Sequence, residues 1–91
     1  MSLASIAQPT RETVRGVRFD MPVGDTFVPV LVAYAALQVI EWSPPGSGDY
    51  LTRFEKHRDQ IERIANGKRQ GGQVEGDGSI IVQRHDVRAV R

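Results

Sequence analysis

Two early stretches of the chain carry the periodicity of β-strands. In VRGVRFD, the apolar residues Val17 and Phe19 alternate with Arg18 and Asp20, which predicts a short strand with one solvent-facing side. The segment MPVGDT follows and carries a Gly-Asp turn signal. The pattern therefore predicts a β-hairpin whose second strand starts at Thr26.

The second strand, TFVPVLVA, is apolar on both of its alternating faces. Its two sets are Val28, Val30 and Val32 on one face and Phe27 and Leu31 on the other. A strand that is apolar on both faces is typical of the centre of a sheet. Pro29 has no N–H to donate to a neighbouring strand, so we expect a local break in pairing there.

The spacing of apolar residues then changes to that of helices. In AYAALQVIEW, Ala33, Ala36, Leu37 and Ile40 recur at intervals of three and four, and the linker SPPGSG ends this helix. Asp49 is a suitable N-cap for a second, longer helix. The buried side of the longer helix is predicted to carry Tyr50, Phe54, Ile61 and Ala65, flanked by Leu51 and Ile64.

The end of the long helix is open between two alternatives, and one more strand follows it. The helix ends either at the Asn66–Gly67 pair or beyond Lys68 and Arg69, whose charges suit a helix C-terminus. After the flexible segment GGQVEGDG, SIIVQRHDV is predicted to be the third strand. The fold is then α+β, with three antiparallel strands and two helices in the order strand-strand-helix-helix-strand. We expect a flexible lead-in over residues 1–13 and one domain over 14–91.

Composition narrows the function classes. The 91-residue chain has no cysteine, so thiol chemistry is excluded. Its net charge is +1, so we expect no strong electrostatic attraction to nucleic acids or membrane surfaces. The N-terminus lacks the pattern of a secretory signal, and the apolar run VPVLVAYAALQVI is shorter than the roughly 20 residues of a membrane span. These features predict a cytoplasmic protein without membrane partners.

Three segments carry a resemblance to a known family. The runs VRFDMPVGDTFVPVLVAYAAL, RFEKHRDQIERIA and GDGSIIVQRHDV resemble the bacterial family called domain of unknown function 1488, over roughly residues 14–87. The matching positions are Phe54, Glu55, Arg58 and Ile61 on the long helix and Gly78, Ile80 and Val82 on the closing strand. The resemblance implies a hairpin, two helices and a closing strand. It implies no activity, cofactor or catalytic residue, and the chain departs from it in SPPGSG and Gly67.

Catalytic and metal-binding arrangements find little support in the sequence. His85 and Asp86 are adjacent in a predicted strand, so their side chains should point to opposite faces and not meet. The two histidines are widely separated, and no set of carboxylates shares a helical face with either one. We therefore predict no enzyme activity, no catalytic residue, no cofactor and no metal.

Arg58 is unusual because it falls within the apolar stripe of the long helix. A buried guanidinium needs an acid or water, so we predict a structural role in which its stem covers Phe54 and Ile61. Its head is expected to pair with an acid such as Glu62 or Asp86. The alternative is that Arg58 recognises a ligand.

The candidate interaction surface combines basic residues with two apolar strand residues. It consists of Arg58, Arg63, Lys68, Arg69, Arg84, Phe27 and Leu31. The leading hypothesis is a non-catalytic interaction or regulatory module with an unidentified protein partner. The alternative is weak nucleic-acid binding through the basic residues of the long helix and the C-terminal region, although few aromatic residues are available for stacking.

The sheet offers a further expectation about self-association. Helices on one face leave either Phe27, Leu31 and Ile81 or the opposite valine set uncovered. A homodimer would cover such a patch. Alternatively, the N-terminal segment covers it through Leu3 and Ile6, or the patch is tolerated.

Overall fold

A computed structural model of the protein describes residues 10–40 and 50–89, and of residues 88 and 89 only the backbone. The strands are β1 (Arg11–Glu12), β2 (Gly16–Val23), β3 (Thr26–Ala33) and β4 (Ile80–Val82). The helices of the described part are α1 (Tyr34–Ile40), α2 (Tyr50–Lys56), α3 (Arg58–Gln70) and α4 (Arg84–Ala89). The fold is α+β, as predicted, but its sheet is mixed and has four strands in the order β1-β2-β3-β4.

The predicted hairpin of β2 and β3 is confirmed. A two-residue turn at Gly24 and Asp25 joins the strands, and Gly24 adopts a φ of 61°, which favours glycine. The expected break at Pro29 is wrong, because Asp20 pairs with Pro29 in an unbroken register. Pairs alternate from the turn, so Asp20–Pro29 is a pair without hydrogen bonds across β2 and β3. On the other side, β4 pairs only with Val30–Val32, so no neighbouring strand needs an N–H from Pro29.

The antiparallel placement predicted for the last strand is wrong. β4 runs parallel to β3, with Val30, Leu31 and Val32 opposite Ile80, Ile81 and Val82. The prediction assumed two full helical passes between the strands. The seven residues of α1 rise only about 10 Å, whereas α2 and α3 together rise about 30 Å. One long pass returns the chain to the starting edge of β3, as a parallel pair requires.

The last strand is also shorter than predicted, because Arg84 begins helix α4. Continuing the strand with period two would place Arg84 and Asp86 on the same face as the buried Ile80 and Val82. The helix instead leaves Arg84 exposed and buries Val87, which is 1% exposed, in the core. Asp86 Oδ2 accepts a hydrogen bond of 2.8 Å from the Gln83 N–H, which caps the first turn.

The core lies between one face of the sheet and the helices. Its sheet residues are Val17, Phe19, Met21, Val30, Val32, Ile80 and Val82, and its helix residues are Ala36, Leu37, Phe54, Ile61, Ile64, Ala65 and Val87. The predicted apolar stripe of the long helix is therefore confirmed, with Tyr50 and Leu51 partly buried. That of the first helix is confirmed for Ala36, Leu37 and Ile40, but Ala33 is the last residue of β3. Phe19 and Phe54 meet at the centre, with ring centroids 4.7 Å apart.

The predicted long helix is interrupted at His57 and extends beyond Gly67. His57 has a φ of −113°, but its N–H still reaches the carbonyl oxygens of Arg53 and Phe54, so α2 and α3 nearly continue each other. α3 ends at Gln70, which resolves the two alternatives in favour of the longer helix. The predicted N-cap Asp49 and the SPPGSG linker lie outside the described residues.

A tight loop joins β1 to β2, and the sheet begins within the segment predicted to be a lead-in. Thr13 Oγ1 donates to the carbonyl oxygen of Gly16 and accepts from the N–H groups of Arg15 and Gly16. The Tyr34 hydroxyl at the start of α1 donates to the carbonyl oxygen of Thr13. These bonds fix residues 13–16 above the ends of β2 and β3.

Candidate functional site

Arg58 is anchored as predicted, on an acid and on aromatic rings. Its Nε donates to Glu62 Oε2 at 2.9 Å, and its guanidinium carbon lies 5.2 Å from the ring centroid of Phe19 and 5.6 Å from that of Phe54. Glu55 adds a second carboxylate at 3.8 Å. The side chain is 34% exposed, so part of it reaches solvent. The ring contacts and the ion pairs hold the rest of it against the core.

Replacing Arg58 by alanine is expected to lower the free energy of unfolding by about 1–3 kcal/mol, through lost packing over the rings and an unpaired Glu62. Urea denaturation followed by circular dichroism measures the change. Arg63→Ala is the matched control, because Arg63 is exposed on the same helix and should shift stability by less than about 0.5 kcal/mol. Equal stabilities of the two variants would contradict the structural role of Arg58.

Lys68, a predicted interaction residue, makes an internal contact in the structure. Its Nζ donates to Asp86 Oδ2 at 2.7 Å and to the carbonyl oxygen of Ile81 at 2.8 Å, and its side chain is only 15% exposed. Burial opposes ionisation of Asp86, but hydrogen bonds from Lys68 and the Gln83 N–H, with the nearby positive charges, hold the pKa of Asp86 below its usual value. The contact ties α3, β4 and α4 together.

The lowered pKa of Asp86 predicts a loss of stability in acid. A carboxyl group whose pKa is depressed by folding stabilises the protein above its unfolded pKa of about 3.9, and this contribution disappears as the pH falls through the folded pKa. Asp86→Asn should therefore destabilise by about 1–3 kcal/mol at pH near 7. The difference from the wild-type protein should shrink below a pH of about 4.

Urea denaturation at neutral and acid pH measures that difference. The control is Asp25→Asn, because Asp25 is exposed in the β2–β3 turn. If the difference in free energy of unfolding between the wild-type protein and Asp86→Asn stays constant from neutral to acid pH, the ionised carboxylate of Asp86 does not stabilise the fold.

The remaining basic residues of α3 do not form one patch with Arg84. Arg63 and Arg69 line a groove of about 590 Å³ beside the β2–β3 turn, and Asp59 and Glu62 line the same groove. Arg69 also donates to Asn66 Oδ1 through two of its nitrogens. The charges in this groove balance, whereas Arg84 lies at the other side of the sheet, on α4.

Phe27, Leu31 and Ile81 lie on the face of the sheet opposite the helices, together with Arg18 and Pro29. We call this side the open face. The sequence left open which of the two apolar sets the helices cover. They cover Val28, Val30, Val32 and Ile80, so the set on the open face is the uncovered one. Phe27, Leu31 and Ile81 are half-buried, and Arg18 is exposed. The apolar area is therefore smaller than a bare sheet face would present.

Residues 13–15 of one loop and Asp77 and Ser79 of another line a concavity of about 240 Å³ together with Leu31 and Ile81. Arg18 also lines this concavity. A second concavity of about 470 Å³ extends towards Gln83, Arg84 and His85. Arg15, Leu31 and Ile81 line both, so the two concavities are neighbours, and we call them together the trough.

The trough carries a predominantly positive rim. Asp77, the one aspartate among the described residues that line it, accepts hydrogen bonds from the hydroxyl of Ser79 at 2.6 Å and from the Ser79 N–H at 3.0 Å. These bonds, with a smaller contribution from the charge of Arg18, lower the pKa of Asp77. Arg15, Arg18 and Arg84 are all exposed, so the trough offers three guanidinium groups above an aliphatic floor.

His85 and Asp86 meet, contrary to the prediction, because both lie on α4. His85 Nε2 is 3.5 Å from Asp86 Oδ1, but Asp86 is already bonded to Lys68 and Gln83. Within residues 10–40 and 50–87, no three side chains of the metal-binding types converge on one point. In the described helices, none is long and apolar enough to cross a membrane.

Sequence comparison places the chain in a family. Residues 7–82 match DUF1488, described as a protein of unknown function. The chain belongs to the DUF1488 family. Neither a curated protein nor a solved structure matches it. The DUF1488 match covers all four strands and the helices α1, α2 and α3, and it ends where α4 is about to begin.

Sequence reasoning named two residues of the trough, Leu31 and Arg84, and missed others. Phe27, also predicted as an interaction residue, lies on the open face outside the trough. Arg15 and Arg18 were missed, although the alternation in VRGVRFD already placed Arg18 on the exposed side of its strand. Nothing in the sequence indicated that residues 13–15 and the loop of Asp77 and Ser79 would line a concavity together with Leu31.

Proposed function

We propose that the protein is a non-catalytic interaction module that receives a partner protein on its open face. The observation that carries this proposal is the aliphatic pair of Leu31 and Ile81 at the floor of a trough with arginine on its rim. An apolar centre surrounded by polar groups is the usual anatomy of a protein interface. Arginine is enriched in such interfaces, because its planar guanidinium binds carboxylates with two hydrogen bonds.

Nucleic-acid binding has weaker support. The basic residues of α3 on which that hypothesis relied are largely engaged with acids and amides of the same chain, as Arg58, Lys68 and Arg69 show. Bases stack on aromatic rings, and Phe27 lies outside the trough. The absence of cysteine from the sequence favours a reducing compartment, so we place the interaction in the cytoplasm.

Site-specific photo-cross-linking in the cells that express the protein tests the proposal. A photoreactive amino acid at position 31 should give a discrete cross-linked species, because Leu31 is at the centre of the trough. Position 63 on α3 is the matched control, since Arg63 is exposed but lies in the charge-balanced groove. Mass spectrometry identifies the captured protein and the segment that reacted. Its affinity for the purified wild-type protein is then measured.

The result at position 31 decides the proposal. A partner that cross-links at 31, not at 63, and that binds the purified protein supports it. A cross-link between two copies of this chain would show that the partner is a second copy of the protein. No cross-link at 31, or equal cross-linking at both positions, would overturn it.

A further inference from the structure

The trough on the open face consists of two neighbouring concavities that are open to solvent, of about 240 Å³ and 470 Å³. They share the lining residues Arg15, Leu31 and Ile81. Arg18 also lines the first concavity and Arg84 the second, so each concavity has two guanidinium groups in its lining. A surface of two neighbouring concavities that is apolar at its centre and charged around it suits an extended chain better than a compact metabolite.

The charge of the trough defines its partner. Among the described lining residues, Arg15, Arg18 and Arg84 contribute three positive charges, against one carboxylate, Asp77, whose oxygen is bonded within its own loop by Ser79. The groove beside α3 offers a contrast, because Arg63 and Arg69 are balanced there by Asp59 and Glu62. Of these two grooves, the trough is the one whose described lining carries more positive than negative charge.

We propose that the trough binds an extended acidic peptide segment of another protein, in which carboxylates alternate with aliphatic side chains. This inference rests on the proposed function and names the partner's chemistry. In an extended segment, successive side chains point to opposite sides, so aliphatic residues face Leu31 and Ile81 while acidic residues reach out to the rim. Each arginine can bind a carboxylate through paired N–H donors.

Binding across the face is favoured over pairing with the edge of β4. Lys68 already donates to the carbonyl oxygen of Ile81, so a peptide strand added to β4 would compete with this bond. A second copy of the chain is disfavoured, because two open faces in contact would bring both sets of arginines together. A nucleic acid is disfavoured because the described lining contains no Phe, Tyr or Trp ring on which a base could stack.

Fluorescence anisotropy with labelled peptides tests the inference. The probe is a peptide of alternating glutamate and valine, about ten residues long, which spans about 34 Å when fully extended. One matched peptide replaces glutamate by lysine, and a second replaces valine by serine. A short single-stranded oligonucleotide is the fourth probe. The protein is the full chain, as wild type, as R15E with R84E, and as the control R63E.

The glutamate–valine peptide should bind the wild-type protein, and R15E with R84E should weaken it by at least about tenfold. R63E should leave its affinity unchanged, because Arg63 lies in the other groove. The lysine peptide should not bind, and the serine peptide should bind more weakly, since it loses contact with Leu31 and Ile81. Because Arg15, Arg63 and Arg84 are exposed, all three proteins should remain folded, which thermal unfolding checks.

Three results would overturn the inference. These are binding of the lysine peptide as tight as that of the glutamate–valine peptide, an equal loss of affinity in R63E, and tighter binding of the oligonucleotide. Absence of any peptide binding would also reject it. If cross-linking at position 31 still captures a partner protein through a segment that is not acidic, the interaction module stands and only its acidic partner is wrong.

Discussion

Replacing Gly16 by alanine is expected to destabilise the protein by at least about 3 kcal/mol, enough to unfold much of a small domain. A Cβ at this position would lie 2.1 Å from the carbonyl oxygen of Val32 and 2.9 Å from its carbonyl carbon. Both atoms belong to the backbone of β3, which is paired on two sides and cannot move away. The φ of 156° at Gly16 adds backbone strain for any residue with a side chain.

Gly67→Ala provides the control for that prediction. Gly67 lies within α3, and an added Cβ meets no atom within 4 Å. Alanine there should stabilise the protein by about 0.5–1 kcal/mol, because glycine disfavours helix. Thermal and urea denaturation of both variants measure the two effects, and a Gly16→Ala protein as stable as the wild type would contradict the close approach of β2 and β3.

The sequence predicted those parts of the fold that follow from local periodicity. The alternation of Val17 and Phe19 placed β2, and the turn at Gly24 placed the hairpin. Helical spacing identified the buried residues Phe54 and Ile61 on the correct face. Each of these features depends on a few neighbouring residues, and period and turn chemistry alone determine them.

The errors concern features that depend on distant contacts. The direction of β4 depends on whether the connecting helices make one pass or two, and helix length on the sheet decides this. The change from strand to helix after Val82 depends on burying Val87 in the core and keeping Arg84 out of it. The local pattern of QRHDV indicates neither the direction of β4 nor the change from strand to helix.

The candidate site shows the same division. The sequence showed that both faces of β3 are apolar, but not which face the helices pack against. In the structure they cover the valines and leave Leu31 on the open face. The basic residues of α3 looked like one surface because charge alone does not reveal partners. Lys68 is bonded to Asp86 on another element, 18 positions along the chain. Such pairings across elements are the reason that the trough, and not α3, became the candidate interface.

Phe54→Ala is the second large effect, with an expected loss of about 3–5 kcal/mol. The side chain is 0% exposed and packs on Phe19 at the junction of α2 and the sheet. Removing the ring leaves a cavity that the surrounding core closes only partly. Leu51→Ala is the control: Leu51 is only half-buried on the same helix and should cost clearly less. Urea denaturation compares them, and similar losses would contradict a core centred on Phe54.

A double-mutant cycle tests whether Phe54 and Arg58 act as one unit. The Arg58 guanidinium carbon lies over the rings of both Phe19 and Phe54, at 5.2 Å and 5.6 Å from their centroids. Phe54→Leu retains apolar volume but removes one ring, so Arg58→Ala should cost less in the Phe54→Leu background than in the wild type. We expect a coupling of about 0.5–1 kcal/mol, as for a partly exposed cation over an aromatic ring. Strictly additive losses would show that Arg58 is held by Glu62 and its aliphatic stem, and that the ring of Phe54 contributes only to the core.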